Sequence, residues 1–355
     1  MTVYADNAAT TRMSRTALDA MLPAMEENYG NPSSLHSVGQ RAAELLMKSR
    51  ETVARCLNCQ PREIIFTSGG SEADNQALLS AAAIGRRKGK MHIISTAFEH
   101  HAILHTLKQL EEEGFSVTLL PVSETGMVTP EAVQAAIRPD TCLVSVMFAN
   151  NEIGTVEPIA EIGAVCREKG VLFHTDAVQA VGHVPIDLSQ LPVDMLSLSA
   201  HKFHGPKGVG VLYAKRGTPL HSLICGGAQE RGMRAGTENL PAIAGMAAAL
   251  REAILSHQFA EGEELTLKDT AAQLGVNAYG VYIVEVVKGG PADKAGLQAG
   301  DRIVSVDGSE VATQSDLGTL MQNHKAGDTI EITVARGGQM QTVTVTLGEK
   351  GADNS

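Results

Sequence analysis

Short apolar runs alternate with amphipathic stretches along the chain between residues 60 and 215. The apolar runs lie at 63–67, 92–96, 117–120, 143–147, 171–174, 194–198 and 209–213. Apolar residues recur at helical spacing in the stretches 34–58, 71–88, 100–113, 130–138 and 158–169. Runs without polar alternation predict strands buried on both faces, and their alternation with helices predicts a parallel sheet covered by helices. We therefore expect an α/β fold of the doubly wound type, with a mostly parallel, seven-stranded sheet.

The pattern changes after residue 256, where a polar and acidic stretch precedes a region of a different kind. There, apolar and polar positions alternate in GVYIVEVV, DRIVSVDG and DTIEITVAR, and turns such as Asp307-Gly308 separate the runs. Such alternation is typical of a small, largely antiparallel β domain, with short helices expected near 291–296 and 314–323. The predicted boundaries are 1–256 for the first domain, 257–264 for a linker and 265–350 for the second domain.

Composition narrows the class of protein. Of the 355 residues, 43% are hydrophobic and 19% are charged, as in soluble globular proteins. The net charge of −11 argues against a nucleic acid partner, which needs clustered Lys and Arg. The start of the chain lacks a signal-peptide pattern, and no apolar run is long enough to cross a bilayer. Five irregularly spaced cysteines are typical of reduced thiols, so we expect a cytoplasmic protein without a membrane partner.

A lysine follows one of the predicted buried strands in SLSAHKFHGPKG, residues 197–208. Lys202 lies nearer the end of that strand than Lys207, which comes after the Gly205-Pro206 break. Burying an ammonium group is costly and lowers its pKa. A lysine at such a place is therefore either solvated at a cleft or used as a nucleophile, and a partly desolvated amine suits Schiff-base chemistry.

A glycine pair also follows a predicted strand, at the edge where open α/β sheets bind ligands. Ser68-Gly69-Gly70-Ser71 opens a predicted helix. Glycines let a backbone approach a phosphate closely, and a helix N-terminus offers unpaired N–H groups. Because glycine turns between strand and helix are common without any ligand, this feature alone is weak support for a phosphate site.

Two more polar residues lie at strand ends. His100 has a ring that can stack on a planar cofactor, although a lone histidine is more often an ordinary surface or core residue. His101 and His105 share a helical face, but no third ligand accompanies them, so we expect no metal site. Asp176 ends an apolar strand and suits a protonated pyridine nitrogen; taken alone, it favours a helix N-cap instead. In combination, the phosphate cradle, histidine, aspartate and lysine describe a site for pyridoxal phosphate.

Residues 3–250 resemble the large domain of the cysteine desulfurases, within the class V, fold-type I aminotransferases. The segments that carry the resemblance are YADNAATT, GNPSSLHSVGQRA, EIIFTSGGSEADN, EHHAILHT, VSVMFANNEIGTVEPI, GVLFHTDAVQAVG, SLSAHKFHGPKGVG and GGAQERGMRAGTEN. The resemblance implies a fold of the pyridoxal phosphate-dependent transferase type and pyridoxal 5'-phosphate as the cofactor. It also implies sulfur mobilisation from L-cysteine, as in iron–sulfur cluster assembly.

The resemblance further implies roles for the matching catalytic residues. Lys202 carries the internal aldimine and, once released, acts as the base at Cα. His100 stacks on the cofactor ring, and Asp176 pairs with its pyridine nitrogen.

The other cofactor contacts come from the same resemblance. Asn151 and Gln179 match residues that hydrogen-bond the 3-oxygen region of the ring. The matching phosphate contacts are Gly70, Ser71, Ser199 and His201. In that family the neighbouring subunit also contacts the phosphate, and Thr237 matches this residue, so a homodimer is implied.

The resemblance ends near residue 255. Members of the family continue into a second lobe that carries a nucleophilic cysteine and an arginine for the substrate carboxylate. Here no cysteine follows Cys225, so we expect persulfide transfer by the usual route to fail. Cys225 is a candidate substitute thiol, but the usual fate of a free cysteine is a small buried residue. The Cys56 and Cys59 pair is expected to be structural.

Residues 265–348 resemble a PDZ domain of the kind attached to bacterial trypsin-like serine proteases. The resemblance lies in LTLKDTAAQLGVNAYGVYIVEVVKGGPADKAGLQAGDRIVSVDG and KAGDTIEITVARGG. Tyr279, Gly280, Val281 and Tyr282 join a loop to an edge strand, which can pair with the extended C-terminus of a protein partner. The alternative is a β domain that completes the fold without a ligand. Because no protease motif accompanies this region, we do not expect a protease.

The sequence thus predicts a cysteine desulfurase-like enzyme that carries a peptide-binding module. Two alternatives remain open. One is a catalytically impaired, cofactor-binding scaffold whose PDZ domain recruits a protein partner that supplies the missing cysteine. The other is an artificial or aberrant fusion of two unrelated domains.

Overall fold

The computed structural model describes residues 6–262, 281–283, 286, 288–298, 300–311, 317, 320–321, 324–336 and 339–348. The chain divides into two compact units between His257 and Gln258. The residues predicted as a linker are helical as far as Gly262, the end of a helix that begins at Leu240. Ala, Gln and Glu in this polar stretch are good helix formers, so a polar composition here is compatible with a continuous helix. The domain boundaries themselves stay a prediction.

Strands and helices alternate in the first unit as the apolar pattern predicts. The described strands β1–β7 are Ile64–Thr67, His92–Thr96, Ser116–Leu120, Thr141–Ser145, Leu172–Asp176, Met195–Ser199 and Gly210–Ala214. The described helices α1–α7 are Arg15–Glu26, Ser37–Cys56, Gly70–Arg87, His101–Glu112, Pro130–Ala136, Ile159–Lys169 and Leu240–Gly262. Short 3-10 turns lie at Pro61–Glu63, Ala200–Lys202 and Gln229–Gly232. None of the helices in the described part of the chain is long and apolar enough to cross a membrane.

The sheet of the first unit has the strand order β1-β7-β6-β5-β4-β2-β3. Neighbours from β6 to β3 run parallel, whereas β7 is antiparallel to both β6 and β1. The predicted α/β fold with a mostly parallel, seven-stranded sheet is confirmed. All strands except β7 point the same way, so the carboxyl ends of β1, β2, β5 and β6 meet at one edge of the sheet.

Alternate residues along each strand pack into two separate cores, one on each face of the sheet. Ile93 and Leu143 contact helices α3 and α4, whereas the following residues, Ile94 and Val144, belong to the core formed with α2, α5, α6 and α7. Since successive side chains of a strand point to opposite faces, helices on both sides explain why these strands are apolar throughout.

The second unit contains a small antiparallel sheet. Its described strands β8–β12 are Val281–Tyr282, Arg302–Val306, Ser309–Glu310, Thr329–Arg336 and Gln339–Thr346, and its helix α8 is Pro291–Lys294. Along β11, Ile330, Ile332 and Val334 are buried and contribute to a core of their own. Asp307 and Gly308 both have positive φ, +47° and +78°, in the turn between β9 and β10, as their predicted turn requires.

The residues predicted to bind a peptide are described only in part. Tyr279 and Gly280 lie outside the described residues. Val281 and Tyr282 form β8, which among the described strands pairs with β9 alone. β-Augmentation requires an edge strand, and β8 is in accord with that requirement. Peptide binding itself stays a prediction.

Candidate active site

A cavity of about 420 Å³ lies at the edge of the first unit's sheet where the strands have their carboxyl ends. The predicted cofactor residues that line it are Gly70, Ser71, His100, Asn151, Asp176, Gln179, Ser199, His201 and Lys202. The fold therefore brings together all of the predicted contacts except Thr237. That residue lines a second, smaller cavity of about 210 Å³ in the same unit.

A tight reversal of the chain after β6 positions Lys202. The N–H of Ala200 donates to the carbonyl of Val209 at 3.1 Å, and the N–H of Gly205 donates back to the carbonyl of Ala200 at 2.9 Å. A Cβ at Gly205 would lie 2.8 Å from the Ala200 Cβ, so only glycine permits this approach. Lys202 consequently lines the cavity, whereas Lys207 is exposed and does not.

The amine of Lys202 is half-buried and donates a hydrogen bond to the carbonyl of Ala8. Burial lowers the pKa of this lysine, because removing water disfavours the charged form. The negative charges of Asp176, Asp6 and Glu152 oppose that shift. The outcome is an amine that gives up its proton more readily than an exposed lysine, as a nucleophile or base must.

Asp176 ends β5, with its side chain against the same cavity, and is 4% exposed. Its Oδ1 accepts a hydrogen bond from the N–H of Val178 at 2.9 Å in a turn, and no helix begins there. The helix N-cap interpretation of Asp176 is therefore wrong. Burial raises the pKa of Asp176, whereas the Val178 bond and the charge of Lys202 counteract the shift. A carboxylate in this setting is stabilised by a cationic partner.

The amino end of α3 forms one wall of the cavity. The helix begins at Gly70, and no side chain caps it. The first-turn N–H groups of a helix have no intrahelical acceptor, so they are available to an anion. A Cβ at Gly70 would lie 2.6 Å from Cγ2 of Val178, so the lack of a side chain lets the turn after β5 approach this helix end. Ser71 and the 4%-exposed Ser199 add hydroxyl groups to the same wall.

His100 has a role in the fold as well as a place in the cavity. Its Nδ1 accepts a hydrogen bond from the N–H of Ala102 at 3.1 Å and thereby caps α4. The ring is exposed and lines the cavity, so its face is accessible to a planar ligand. The rings of His101 and His105 are 5.2 Å apart on the outer side of α4. Within the described residues, no cluster of three or more His, Cys, Asp or Glu side chains is suited to hold a metal.

The segment near the amino terminus forms the rim of the cavity, a role that its sequence did not reveal. The carbonyl of Ala8 accepts from Nε2 of Gln179 at 2.7 Å as well as from Lys202. Nδ1 of His201 lies 3.1 Å from the hydroxyl of Thr10, and the N–H of Thr11 donates to the His201 carbonyl at 2.9 Å. These bonds hold the Lys202 turn against a segment that is distant in sequence.

Several other side chains line the cavity without having been predicted, and they include Asp6, Asp74, Met147, Glu152 and Val178. Asp74 carries the clearest signal that the sequence offered. It follows Gly70 by four residues, so helical spacing places both on the same face of α3.

Thr237 belongs to a loop that a buried ion pair anchors. Glu230 binds the guanidinium of Arg50 through both oxygens, at 2.5 and 2.8 Å, and also accepts the N–H of Phe66 at 3.0 Å. Glu230 and Arg231 both have positive φ, +46° and +59°, which non-glycine residues seldom adopt. The ion pair therefore holds the loop in a conformation that the backbone alone disfavours.

The cysteines give one correction. Cys225 is exposed, so its interpretation as a small buried residue is wrong, and it does not line the cavity. Cys56 and Cys59 are half-buried, and burial raises their pKa values to about 11 and about 12. Both thiols therefore stay neutral at physiological pH, in accord with a structural role.

The donor set fits pyridoxal phosphate. An uncapped helix end with hydroxyl groups suits the phosphate, a buried carboxyl suits a protonated ring nitrogen, and a half-buried lysine suits an aldehyde. A family model described as aminotransferase class-V matches residues 3–284 of the chain. The chain belongs to this family. It is an enzyme of a pyridoxal phosphate-dependent class, and the sequence resemblance is confirmed. A PDZ domain model matches residues 261–347, in accord with the separate antiparallel sheet.

Known proteins similar to this member of the family are cysteine desulfurases. Cysteine desulfurase IscS of Clostridium botulinum is 52% identical over 291 residues, which make up 82% of this chain and 72% of that protein. The IscS protein of Methanosarcina thermophila is 51% identical over 267 residues, 75% of this chain and 66% of its own length.

Solved structures are also similar to this chain. A NifS-like protein matches with a TM-score of 0.71 at 35% identity, and the match covers 95% of this chain and 83% of that protein's chain. SspA in complex with cysteine matches with a TM-score of 0.68 at 41% identity, covering 70% of this chain and 72% of its own.

Proposed function

We propose that this enzyme mobilises sulfur from L-cysteine with bound pyridoxal phosphate. The observation that carries the proposal is the convergence of Lys202, Asp176 and the uncapped end of α3 on one cavity. The similarity to proteins named cysteine desulfurase, and to SspA in complex with cysteine, supports this substrate over other amino acids.

Each wall of the cavity has its own task. Bound pyridoxal phosphate supplies an electrophilic carbon and an electron-accepting ring. Lys202 would hold the cofactor and, as a free amine, would take the proton from the substrate Cα, which its lowered pKa favours. Asp176 would keep a proton on the ring nitrogen, and His100 would cover one face of the ring. Gly70, Ser71, Ser199 and His201 would hold the phosphate, and Asn151 and Gln179 would hydrogen-bond the ring's 3-oxygen region.

Removal of sulfur from cysteine also needs a thiol that receives it. The chain's five cysteines are Cys56, Cys59, Cys142, Cys166 and Cys225, and none of them lines the cavity. We therefore propose that the acceptor thiol comes from another molecule. The region that matches a PDZ domain is suited to recruit a partner that carries it, by pairing β8 with the partner's C-terminus.

Absorption spectroscopy tests cofactor binding first. The purified protein with added pyridoxal phosphate should show a visible absorption band that Lys202→Ala lacks and Lys207→Ala retains. Lys207 is the matched control because it lies in the same loop but outside the cavity. A band that survives in Lys202→Ala would contradict the assignment of this lysine.

Product analysis then separates the enzyme from the scaffold alternative. L-Cysteine should change the spectrum, and alanine should accumulate when an external thiol such as dithiothreitol is present. A protein that binds the cofactor but leaves cysteine intact with every added thiol would be a scaffold rather than a desulfurase.

Thr237 provides a test of the proposed homodimer. We propose that Thr237 contacts the phosphate in the partner subunit's cavity, since it lines a different cavity of its own subunit. A mixture of Lys202→Ala and Thr237→Ala proteins should then regain cofactor binding. The reason is that a mixed dimer contains one site with both residues intact. If the mixture binds no more cofactor than the separate variants, Thr237 does not act across a dimer interface.

Peptide capture is tested separately on the full chain. A peptide with a free carboxyl end and an apolar last residue should bind, and its C-terminal amide should not. Equal binding of both peptides would contradict capture of a carboxyl terminus.

A further inference from the structure

Two buried acids, not one, adjoin the cofactor cavity. Asp74 on α3 is 1% exposed and Asp176 at the end of β5 is 4% exposed, and both line the cavity. Two ionised carboxylates in a shared buried site repel each other and lack solvation. The site therefore favours a state in which only one of the two carries charge.

Within the part of the chain that the structure describes, no Lys or Arg side chain forms an ion pair with Asp74. The Oδ1 atom of Asp74 is buried without a hydrogen-bond partner, and the nearest basic group, Nε2 of His174, is 3.6 Å away. His174 is fully buried, and its nitrogens lie 2.9 Å from the hydroxyl of Ser145 and 3.0 Å from that of Ser197. Burial lowers the pKa of His174 to about 3, so the ring is neutral and does not balance a charge on Asp74.

Asp176 is better placed to hold the charge. Its Oδ1 accepts the Val178 N–H, and the positive charge of Lys202 acts on it. By contrast, burial raises the pKa of Asp74 well above its usual value, repulsion by Asp176 and Glu99 adds to the shift, and a hydrogen bond with Ser197 partly opposes it. The titratable groups that act on Asp74, or lie on the elements beside it, are Glu99, His100, His174, Asp176 and Lys202. On strands β4 and β6, the hydroxyls of Ser145 and Ser197 bond to His174.

We propose that Asp74 is a positioning residue that stays protonated and thereby confines the negative charge of the cavity to Asp176. The link to catalysis rests on the proposed pairing of Asp176 with the cofactor's ring nitrogen. A single negative charge beside that nitrogen fixes how firmly it keeps its proton. A second negative charge at Asp74 would strengthen proton binding beyond what Asp176 alone provides.

The first test uses the full chain freed of cofactor, so it does not depend on the proposed function. A protein that buries an acid with a raised pKa loses stability as the pH rises from the pKa of that acid in the unfolded chain, about 4, to its pKa in the folded protein. The Asp74→Asn side chain cannot ionise, so this variant does not lose stability in that way. Its unfolding equilibrium constant should fall relative to wild type by up to about tenfold per pH unit above pH 5. Asp19→Asn, an exposed control, should follow wild type.

A second variant and a second readout make the test decisive. Asp74→Ser also removes the carboxyl group and should show the same pH dependence even if its overall stability is lower. With pyridoxal phosphate bound, the pH profile of the absorption band should match wild type in Asp74→Asn and shift in Asp176→Asn. A stability difference that is constant with pH, or a shifted band in Asp74→Asn, would show that Asp74 is ionised and overturn the proposal.

Discussion

The buried ion pair between Arg50 and Glu230 permits a sharp prediction about the loop that carries Thr237. Only 12% of the Arg50 side chain and 2% of the Glu230 side chain are exposed. Glu230→Ala leaves the Arg50 charge buried without its partner, which typically costs about 3–5 kcal/mol. The same change removes the acceptor for the N–H of Phe66 at a further cost of about 1–3 kcal/mol. We therefore expect the free energy of unfolding to fall by at least about 3 kcal/mol.

Urea unfolding of the full chain, followed by far-ultraviolet circular dichroism, measures this loss. Helices α1–α7 supply most of the helical residues that the structure describes, and they belong almost entirely to the first unit, so we use this signal as the report on that unit. The double variant Arg50→Met/Glu230→Gln is the matched control. It removes both charges, and the side-chain amide oxygen that it introduces can still accept the Phe66 N–H, so it should recover at least half of the loss.

The effect should extend to the cofactor. Loss of the ion pair removes a contact that offsets the positive φ values of Glu230 and Arg231, so the loop should shift and cofactor affinity should fall. If Glu230→Ala lowered the free energy of unfolding by less than about 1 kcal/mol, the pair would contribute no more than an exposed salt bridge, which would refute the reasoning. So would a loss in Arg50→Met/Glu230→Gln that equals the summed losses of Arg50→Met and Glu230→Gln, since independent residues show such additivity.

Three further predictions concern other groups. Gly70→Ala should destabilise the protein by about 1–3 kcal/mol, because its Cβ clashes with Val178, and it should also weaken cofactor binding. Adding Val178→Ala removes the clash and should restore stability and binding, as thermal unfolding and cofactor titration can measure. Burial raises the pKa of Glu99 to about 8, so Glu99→Gln should gain stability over wild type as the pH rises from about 4 to 8; a gain independent of pH would contradict that cause. Hydrogen bonds from Arg336 lower the pKa of Asp301, so Asp301→Asn should cost about 1.5–3 kcal/mol at neutral pH. That cost should shrink as the pH falls through the lowered pKa, and a cost that persists in acid would point to lost packing instead.

The sequence predicted the sheet and most of the cavity because both depend on local patterns. Apolar runs without polar alternation marked each strand, and polar residues directly after those runs had to meet at the carboxyl edge. The choice of Lys202 over Lys207 followed from distance to a strand end alone, and of the two lysines it is Lys202 that lines the cavity.

Other features were missed because they depend on distant contacts. The rim formed by Ala8, Thr10 and Thr11 is created by hydrogen bonds to residues more than 170 positions away. Helix α1, capped by Ser14, lay before the first predicted element, although serine at that position is a standard helix start. Asp74 was not predicted because it lies inside a glycine-rich motif without any pattern of its own, and its burial becomes evident only in three dimensions.

The bonds between the amino-terminal rim and the Lys202 turn also constrain how the chain is made. The Lys202 amine and the Ala8 carbonyl are separated by 194 residues, and the N–H of His204 reaches the Thr11 hydroxyl over 193 residues. A ribosome that adds about 5–20 residues per second needs roughly 10–40 seconds to deliver His204 after the amino terminus has emerged. Closing so long a loop is also slow compared with forming the local helices. The border of the cofactor cavity is therefore completed late, and a nascent chain spends most of its synthesis with that first segment undocked.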